Sequence, residues 1–314
     1  MKTIIKLSVY FFLFILAYSC QQGPKGNTDT PTTGTIKIVV DETFSPISEA
    51  QVAVFQGIYK YAHINPIFLP ENEAFKFLLR DSVRLLIASR KLTKAEEEYF
   101  HSQKIYPHQT LVAIDAVTLL VHPQNKDSLL SLKTIKDIFT GKIQNWNQIS
   151  PSSKLGAIQV VFDNPNSSTL RFVVDSITKG EKLAKDLSAL DYNKDVIDYV
   201  AKHPNSLGVI GVNWVSDRDD TTCLTFIKKA RVVAISLEHP AMSFNSYKPY
   251  QAYIAQGLYP LRREIYAINA DPRSGLAGGF AAFLASDRGQ RIILKSGLLP
   301  ATQPLRIIQV KEDL

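Results

Sequence analysis

Three consecutive hydroxyls, Ser167, Ser168 and Thr169, stand in FDNPNSSTLRF, where the apolar run AIQVV gives way to the patterned segment RFVVDSITKG. A strand handing over to a helix at this point exposes first-turn N–H groups that have no intrahelical acceptor and carry partial positive charge. Hydroxyl donors placed there add to that field, so the chemistry expected is noncovalent capture of an anion. Two other junctions have the same character: Thr43 with Phe44 in VVDETFSPISEA, and Ser89 in LLIASRKLT. Any one of these hydroxyls is equally an ordinary helix cap. Three of them, distributed along a chain without enzyme signatures, shift the reading toward a ligand.

Those signatures are missing in kind. There is no GxSxG elbow, no Walker glycine loop and no GxGxxG. A hydrolase using Ser167 or Ser168 as nucleophile lacks an identifiable base nearby. Glu97 and His101 share a helical face, but charged helix surfaces produce such pairs often, and the six histidines show no HxxxH or HExxH spacing. The two cysteines, Cys20 and Cys223, are too few for a usual zinc site. The expectation is a non-enzyme without metal or cofactor, with Cys223 a lone buried thiol.

Everything before residue 35 reads as targeting and tether. MKTIIKLSVYFFLFILAYSC places Lys2 and Lys6 ahead of an apolar run and small residues ahead of Cys20, the pattern of a secretory signal over residues 1–19. AYSC resembles the lipobox of bacterial lipoproteins, with Ala17 where Leu is usual; that resemblance makes Cys20 the lipidated residue. Residues 20–34, rich in Gly, Pro and Thr, then form a flexible tether. Loss of Lys2 and Lys6 would take the formal charge from +7 to +5. The remaining basic residues are scattered without an aromatic-interleaved stripe, so nucleic acid is not an expected partner.

The rest of the chain alternates strand and helix patterns. TIKIVVDE, INPIFLP and VRLLIAS read as strands; PISEAQVAVFQGIYKYA, NEAFKFLLRDS and KLTKAEEEYFHSQ read as helices, the first with Ala50, Val54, Ile58 and Tyr61 along one face. Such alternation predicts an α/β fold with a mainly parallel sheet. LVAIDAVTLLVHP is a long β-rich run suited to serve two sheets in turn. A second α/β set follows, with Ser131 as a helix cap and Gly141 as a helix stop. ARVVAISL reads as one returning strand, REIYAINA as another, and GLAGGFAAFLASDRGQRIIL as one long helix.

The order ETFSP, LLIASRKLT, AIDAVTLLVHPQN, IFTGKIQNW, DNPNSSTLRF and GVIGVNW resembles PstS-like phosphate-binding proteins, the solute-binding components of phosphate ABC transporters. The resemblance runs from about Thr35 to Leu314. It implies a two-lobed periplasmic-binding-protein fold of type II with the ligand cleft between the lobes. Lobe 1 would comprise residues 35–116 and 232–314, and lobe 2 residues 117–231. By position it carries over Thr43 with Phe44, Ser89, and the turn Ser167, Ser168 and Thr169 as anion ligands, with Asn72 near another family serine.

The departures are as specific as the matches. Arg90 stands where the family has an Asp that accepts the proton of bound phosphate, and Asp163 where it has an Arg. Acid and base are therefore expected to have exchanged sides. Ser168 replaces a glycine, Glu71 and Glu73 flank Asn72, and Arg171 is placed either to restore positive charge or to stand solvated on the following helix. Two functions follow from the resemblance. One is lipid-anchored capture of phosphate or a related oxyanion by lobe closure, for an ABC transporter permease, on the periplasmic side of a bacterial envelope, inner or outer membrane. The other is a binding-protein-like interaction or sensor module of an envelope complex whose anion site is altered or lost.

Overall fold

The computed structural model describes residues 29–217 and 219–302. The leader, Cys20 and most of the tether lie outside them. Among the described residues no helix is long and apolar enough to cross a membrane.

The first half alternates as its sequence dictates. Strand β1 (Gly34–Asp41) leads through a 3₁₀ turn, Glu42–Phe44, into helix α1 (Ser45–Ile58), whose Pro46 suits a first-turn position. Then come β2 (Ala62–Leu69), α2 (Glu71–Leu79), β3 (Leu85–Ala88) and α3 (Lys94–Ser102). Thr93 and Glu96 close a capping box on α3. The face of α1 that enters the core is not the expected one: Ile47, Val52 and Phe55 are buried, whereas Val54 and Tyr61 are exposed. Phe55 decides it, meeting Phe280 and Phe283 edge-on at 5.2 Å each.

Strand β4 (His108–Val121) is the long one, spanning roughly 45 Å at about 3.3 Å per residue. Its first part pairs antiparallel with β11 (Arg262–Asn269), from His108 to Ala116. From Val117 to Val121 it pairs antiparallel with β8 (Ser206–Gly211). One strand thus serves both halves of a mixed sheet ordered β2-β1-β3-β11-β4-β8-β6-β7, where β6 is Gln159–Phe162 and β7 is Ser188–Ala189. The second half adds β5 (Leu129–Ser131), α4 (Leu132–Phe139), β6 (Gln159–Phe162), α5 (Ser168–Phe172), β7 (Ser188–Ala189) and α6 (Asn193–Val200). Ser131 caps α4 by accepting from the Thr134 N–H, and Gly141 takes φ +78 beyond its end.

Beyond β8 lie the short α7 (Asn213–Ser216), α8 (Thr221–Lys229) and the return to the first half. ARVVAISL is two strands, not one: β9 (Arg231–Val232) pairs with β4, while β10 (Ala234–Ser236) pairs with β5 in a separate two-stranded sheet. After α9 (Gln251–Ala255) and β11, the expected long helix is also broken in two, α10 (Leu276–Ala285) and α11 (Asp287–Lys295). Ser286 makes the break, taking an extended conformation and capping the Gly289 N–H. Strand β12 (Leu299–Pro300) then pairs with β4.

Gly208 on β8 marks where α6 lies closest to the sheet. A Cβ there would come within 2.7 Å of Val200 Cγ2 and 2.8 Å of Val196 Cγ1. Gly208→Ala is therefore expected to cost about 1–3 kcal/mol through overpacking. A urea unfolding midpoint equal to that of the natural protein would show that α6 can move away freely.

Candidate functional site

The carboxyl ends of β1, β6 and β8 and the beginning of β11 meet in one buried polar cluster. Thr43 comes from the turn after β1, and Asp163 and Ser168 from the loop and helix start after β6. Thr43 Oγ1 lies 3.3 Å from Ser168 Oγ and donates to Asp163 Oδ2 at 3.4 Å. Thr169 Oγ1 donates to Asp163 Oδ1 in a very short contact, and Ser167 Oγ lies 2.8 Å from Thr169 Oγ1. Ser167 is also the helix cap, accepting from the Leu170 N–H at 3.2 Å. Ser167 thus caps α5 while Ser168 and Thr169 beside it bond within the cluster.

Arg263, at the start of β11, supplies the cation of this cluster. Its Nη1 donates to Ser168 Oγ at 2.9 Å and its Nε to Asp115 Oδ2 at 2.8 Å. Nη2 stands 2.8 Å from the same Asp115 oxygen but is not aligned to bond it, and it has no other acceptor among the described residues. The guanidinium lies over the Phe44 ring at 4.8 Å. Gly211 permits this approach, because a Cβ there would stand 3.0 Å from Arg263 Nη2 and 2.5 Å from Thr43 Cγ2. Asn193 completes the frame: its amide donates to Asp163 Oδ2 and Glu42 Oε2 and accepts from the Gly211 N–H. Asn213 and Trp214, on α7, both donate to the Thr43 carbonyl.

The electrostatics follow from burial. Removal from water pushes Asp41 up to about 7, helped by nearby Glu71, and Glu42 up to about 8. Burial raises Asp115 and Asp163 as well, partly opposed by Arg263 and the hydroxyls. Beside the cluster runs a second one. Glu71, at the start of α2 and 1% exposed, accepts from the Ser89 N–H and hydroxyl at 3.1 and 2.8 Å. Arg171 reaches across from α5, with Nε 2.5 Å from Glu71 Oε2 and Nη2 2.8 Å from Ser89 Oγ.

Of the residues singled out in the sequence, Thr43, Phe44, Asp163, Ser167, Ser168 and Thr169 come together in the first cluster, and Ser89 and Arg171 in the second. Ser168, which replaces the family's glycine, sits between Thr43 and Arg263 and offers its hydroxyl to both. Asn72 is exposed and joins the halves through its backbone, its N–H donating to the Asn166 carbonyl at 3.3 Å. Arg90 is a correction. Its guanidinium lies 3.4 Å over the Phe75 ring and forms a pair of hydrogen bonds with Glu96, so it takes no part in either cluster. The cation beside Asp163 is Arg263 instead, a residue the sequence reading missed along with Asp41, Glu42 and Asn193. DETF offered a signal for the first two, since acids beside the Thr-Phe pair stand where an anion is expected.

Cys223 is a free, buried thiol, and burial pushes it up to about 11. No group of His, Cys, Asp and Glu suited to a metal occurs among the described residues.

Comparison with known proteins gives a consistent picture. The family described as PBP superfamily domain matches residues 25–288. The phosphate-binding protein PstS of Borreliella burgdorferi is 23% identical over 305 residues, covering 95% of this chain and 99% of that protein. PstS of Bacillus subtilis is 25% identical, covering 96% and 94%. Among solved structures, one described as a phosphate ABC transporter substrate-binding protein of Clostridium perfringens, with bound phosphate, aligns with a TM-score of 0.72 at 21% identity, over 86% of this chain and all of that one. An ABC-type phosphate transport receptor of Vibrio cholerae aligns with a TM-score of 0.62 at 19% identity, over 85% of this chain and all of that one. The fold is the two-lobed periplasmic-binding-protein fold.

Proposed function

This chain belongs to the PBP superfamily, and from that membership we propose that it is an extracytoplasmic solute-binding protein of the PstS type, capturing phosphate or a related oxyanion. Capture is noncovalent: hydroxyls of Thr43, Ser167, Ser168 and Thr169 and the first-turn N–H groups of α5 replace the water of the anion. The lobes, residues 35–116 with 232–314 and residues 117–231, close about β4 and the return at β9 and β10. An ABC transporter permease is the expected recipient. Lipidation at Cys20 would hold the protein on the periplasmic side of a bacterial envelope, at the inner or the outer membrane.

One observation supports this reading above the others: the hydroxyls of Thr43 and Ser168 and the Arg263 guanidinium converge in one buried cluster. These donors, one of them charged, suit an oxyanion seated between Arg263, Ser168 and Thr43. Calorimetric titration with phosphate, sulfate and an organic phosphate is expected to show binding, weakened at least tenfold by Ser168→Val. Silence with all three at millimolar concentration would reject capture of these anions.

A second reading rests on the carboxylates. Asp163 already accepts from Thr43, Thr169 and Asn193, and Glu71 from Ser89 and Arg171. These internal oxyanions hold the donors that a ligand would need, as in an interaction or sensor module with an altered site. Recovery of an envelope partner by a chain that ignores all three anions would select it.

A further inference from the structure

A cavity of about 720 Å³ lies beside the buried cluster, on the far side of α7. Its walls join the two parts of the molecule: α7, α8 and β9 on one side, the segment entering α9 and the end of α11 on the other. Short α7 separates it from the cluster. Asn213 and Trp214 turn to the Thr43 carbonyl, whereas Val215 and Ser216 line the cavity. The far wall is tied down, because Gln251 Nε2 donates to the carbonyls of Leu294 and Leu298 and Ser216 Oγ to that of Ser296. The space is therefore framed by bonded elements rather than by a loose loop.

Its volume falls in the range of small-molecule sites, about 300–1,000 Å³. The lining divides by chemistry. Val212, Val215, Ile227, Val232 and Leu294 give an apolar wall. Lys228, Arg231, Lys248 and Lys295 stand against a single lining carboxylate, Asp219. Asp219 pairs with Lys295 at 3.4 Å, and the Arg231 guanidinium donates to the carbonyls of Asn125 and Pro123. The ammonium groups of Lys228 and Lys248 make no ion pair among the described residues.

We propose that this cavity is a second binding site, for an amphipathic organic monoanion: an apolar body against Val215, Ile227 and Leu294, with one carboxylate at Lys228 and Lys248. The inorganic oxyanion proposed for the cluster has no apolar surface to bury, so the two sites take different ligands. The assignment does not depend on what the cluster binds.

The test uses three probes of matched shape and charges −1, 0 and +1: phenylbutyrate, phenylbutanol and phenylbutylamine. Each is titrated calorimetrically into the full chain in lipid nanodiscs, with empty nanodiscs subtracted and with phosphate absent or saturating. Phenylbutyrate is expected to bind one per chain at least tenfold more tightly than the other two, whether or not phosphate is present. The double replacement Lys228→Glu and Lys248→Glu, on exposed and half-buried side chains, should remove that preference without lowering the melting temperature. Ala252→Trp should fill the space and abolish binding. Equal affinity for all three probes, displacement by phosphate, or unchanged binding in the double variant would overturn the assignment. Should Ala252→Trp fail to fold, the double variant decides alone.

Discussion

Arg263→Met is expected to destabilise the protein by about 3–5 kcal/mol, the cost typical of breaking a buried ion pair on one side. Arg263 is 6% and Asp115 0% exposed, so water cannot take over the lost interactions. Removing the guanidinium leaves Asp115 Oδ2 without its donor, strips Ser168 Oγ of a bond and withdraws the positive charge shared by Asp41 and Asp163. Methionine keeps most of the volume and the contact with Phe44, so the loss reads electrostatics rather than a cavity. The companion variant, Arg263→Met with Asp115→Asn, removes the stranded charge and should recover more than half of the lost stability. Residues in direct contact are expected to show such coupling. Oxyanion binding should be lost in both variants, because it needs the cation and not the pair. Chemical denaturation and calorimetric titration of the same samples separate the two effects. A single variant that loses less than about 1 kcal/mol would place it in the class of exposed pairs and contradict the burial described here.

Arg263 also shows where reading from the sequence stops. The strands and most helices were legible because their apolar periodicity is local, and so were the cap at Ser131 and the stop at Gly141. Thr43, Ser167, Ser168 and Thr169 were legible as a possible site because each stands at a strand-to-helix junction. Arg263 stands on a strand 95 residues from Ser168, and no local pattern connects them. Arg90 misled for the opposite reason, its adjacency to Ser89. Both residues lie in the bend that follows β3, where sequence adjacency does not fix a shared direction. Ser89 turns to Glu71 and Arg171, while Arg90 turns to Phe75 and Glu96. The misread face of α1 has a similar origin. Ala50 and Val54 are apolar but exposed, and the buried row includes the polar Ser48 and Gln51, the latter donating its Nε2 to the Gly289 carbonyl. In GLAGGFAAFLASDRGQRIIL the break was written in the residues: Ser286 with Asp287 after it and Gly289 three positions on is a helix start inside an apolar run.

The acid cluster predicts a stability that falls as pH rises, contrary to a fold held by paired carboxylates. Asp41 and Glu42 are raised to about 7 and 8 in the folded protein, first by burial, against ordinary values of 3.8 and 4.5. Between those limits the native state binds more protons than the unfolded chain, so the free energy of unfolding decreases with pH. Their favourable contribution is complete below about pH 4 and is lost as pH climbs through 7 and 8. Asp115 and Asp163, raised in the same direction, steepen the slope. Glu96 is lowered, the bonds from Arg90 and Thr93 outweighing its partial burial, and it opposes the trend only at the acid end. The melting temperature should therefore be highest near pH 4 and lower at pH 9, by an amount corresponding to at least ~2 kcal/mol. Glu42→Gln tests the assignment, because the amide oxygen can still accept from Asn193 without acquiring charge. It should match the natural protein at pH 4 and exceed it at pH 9. The same ionisation places negative charge beside Thr43 and Ser168, so oxyanion affinity should weaken over the same interval, and less steeply in Glu42→Gln. If the natural protein instead gains stability from pH 5 to 8, the carboxyl groups are ionised and paired in the fold, and Arg263 is shared among fewer of them than the geometry implies.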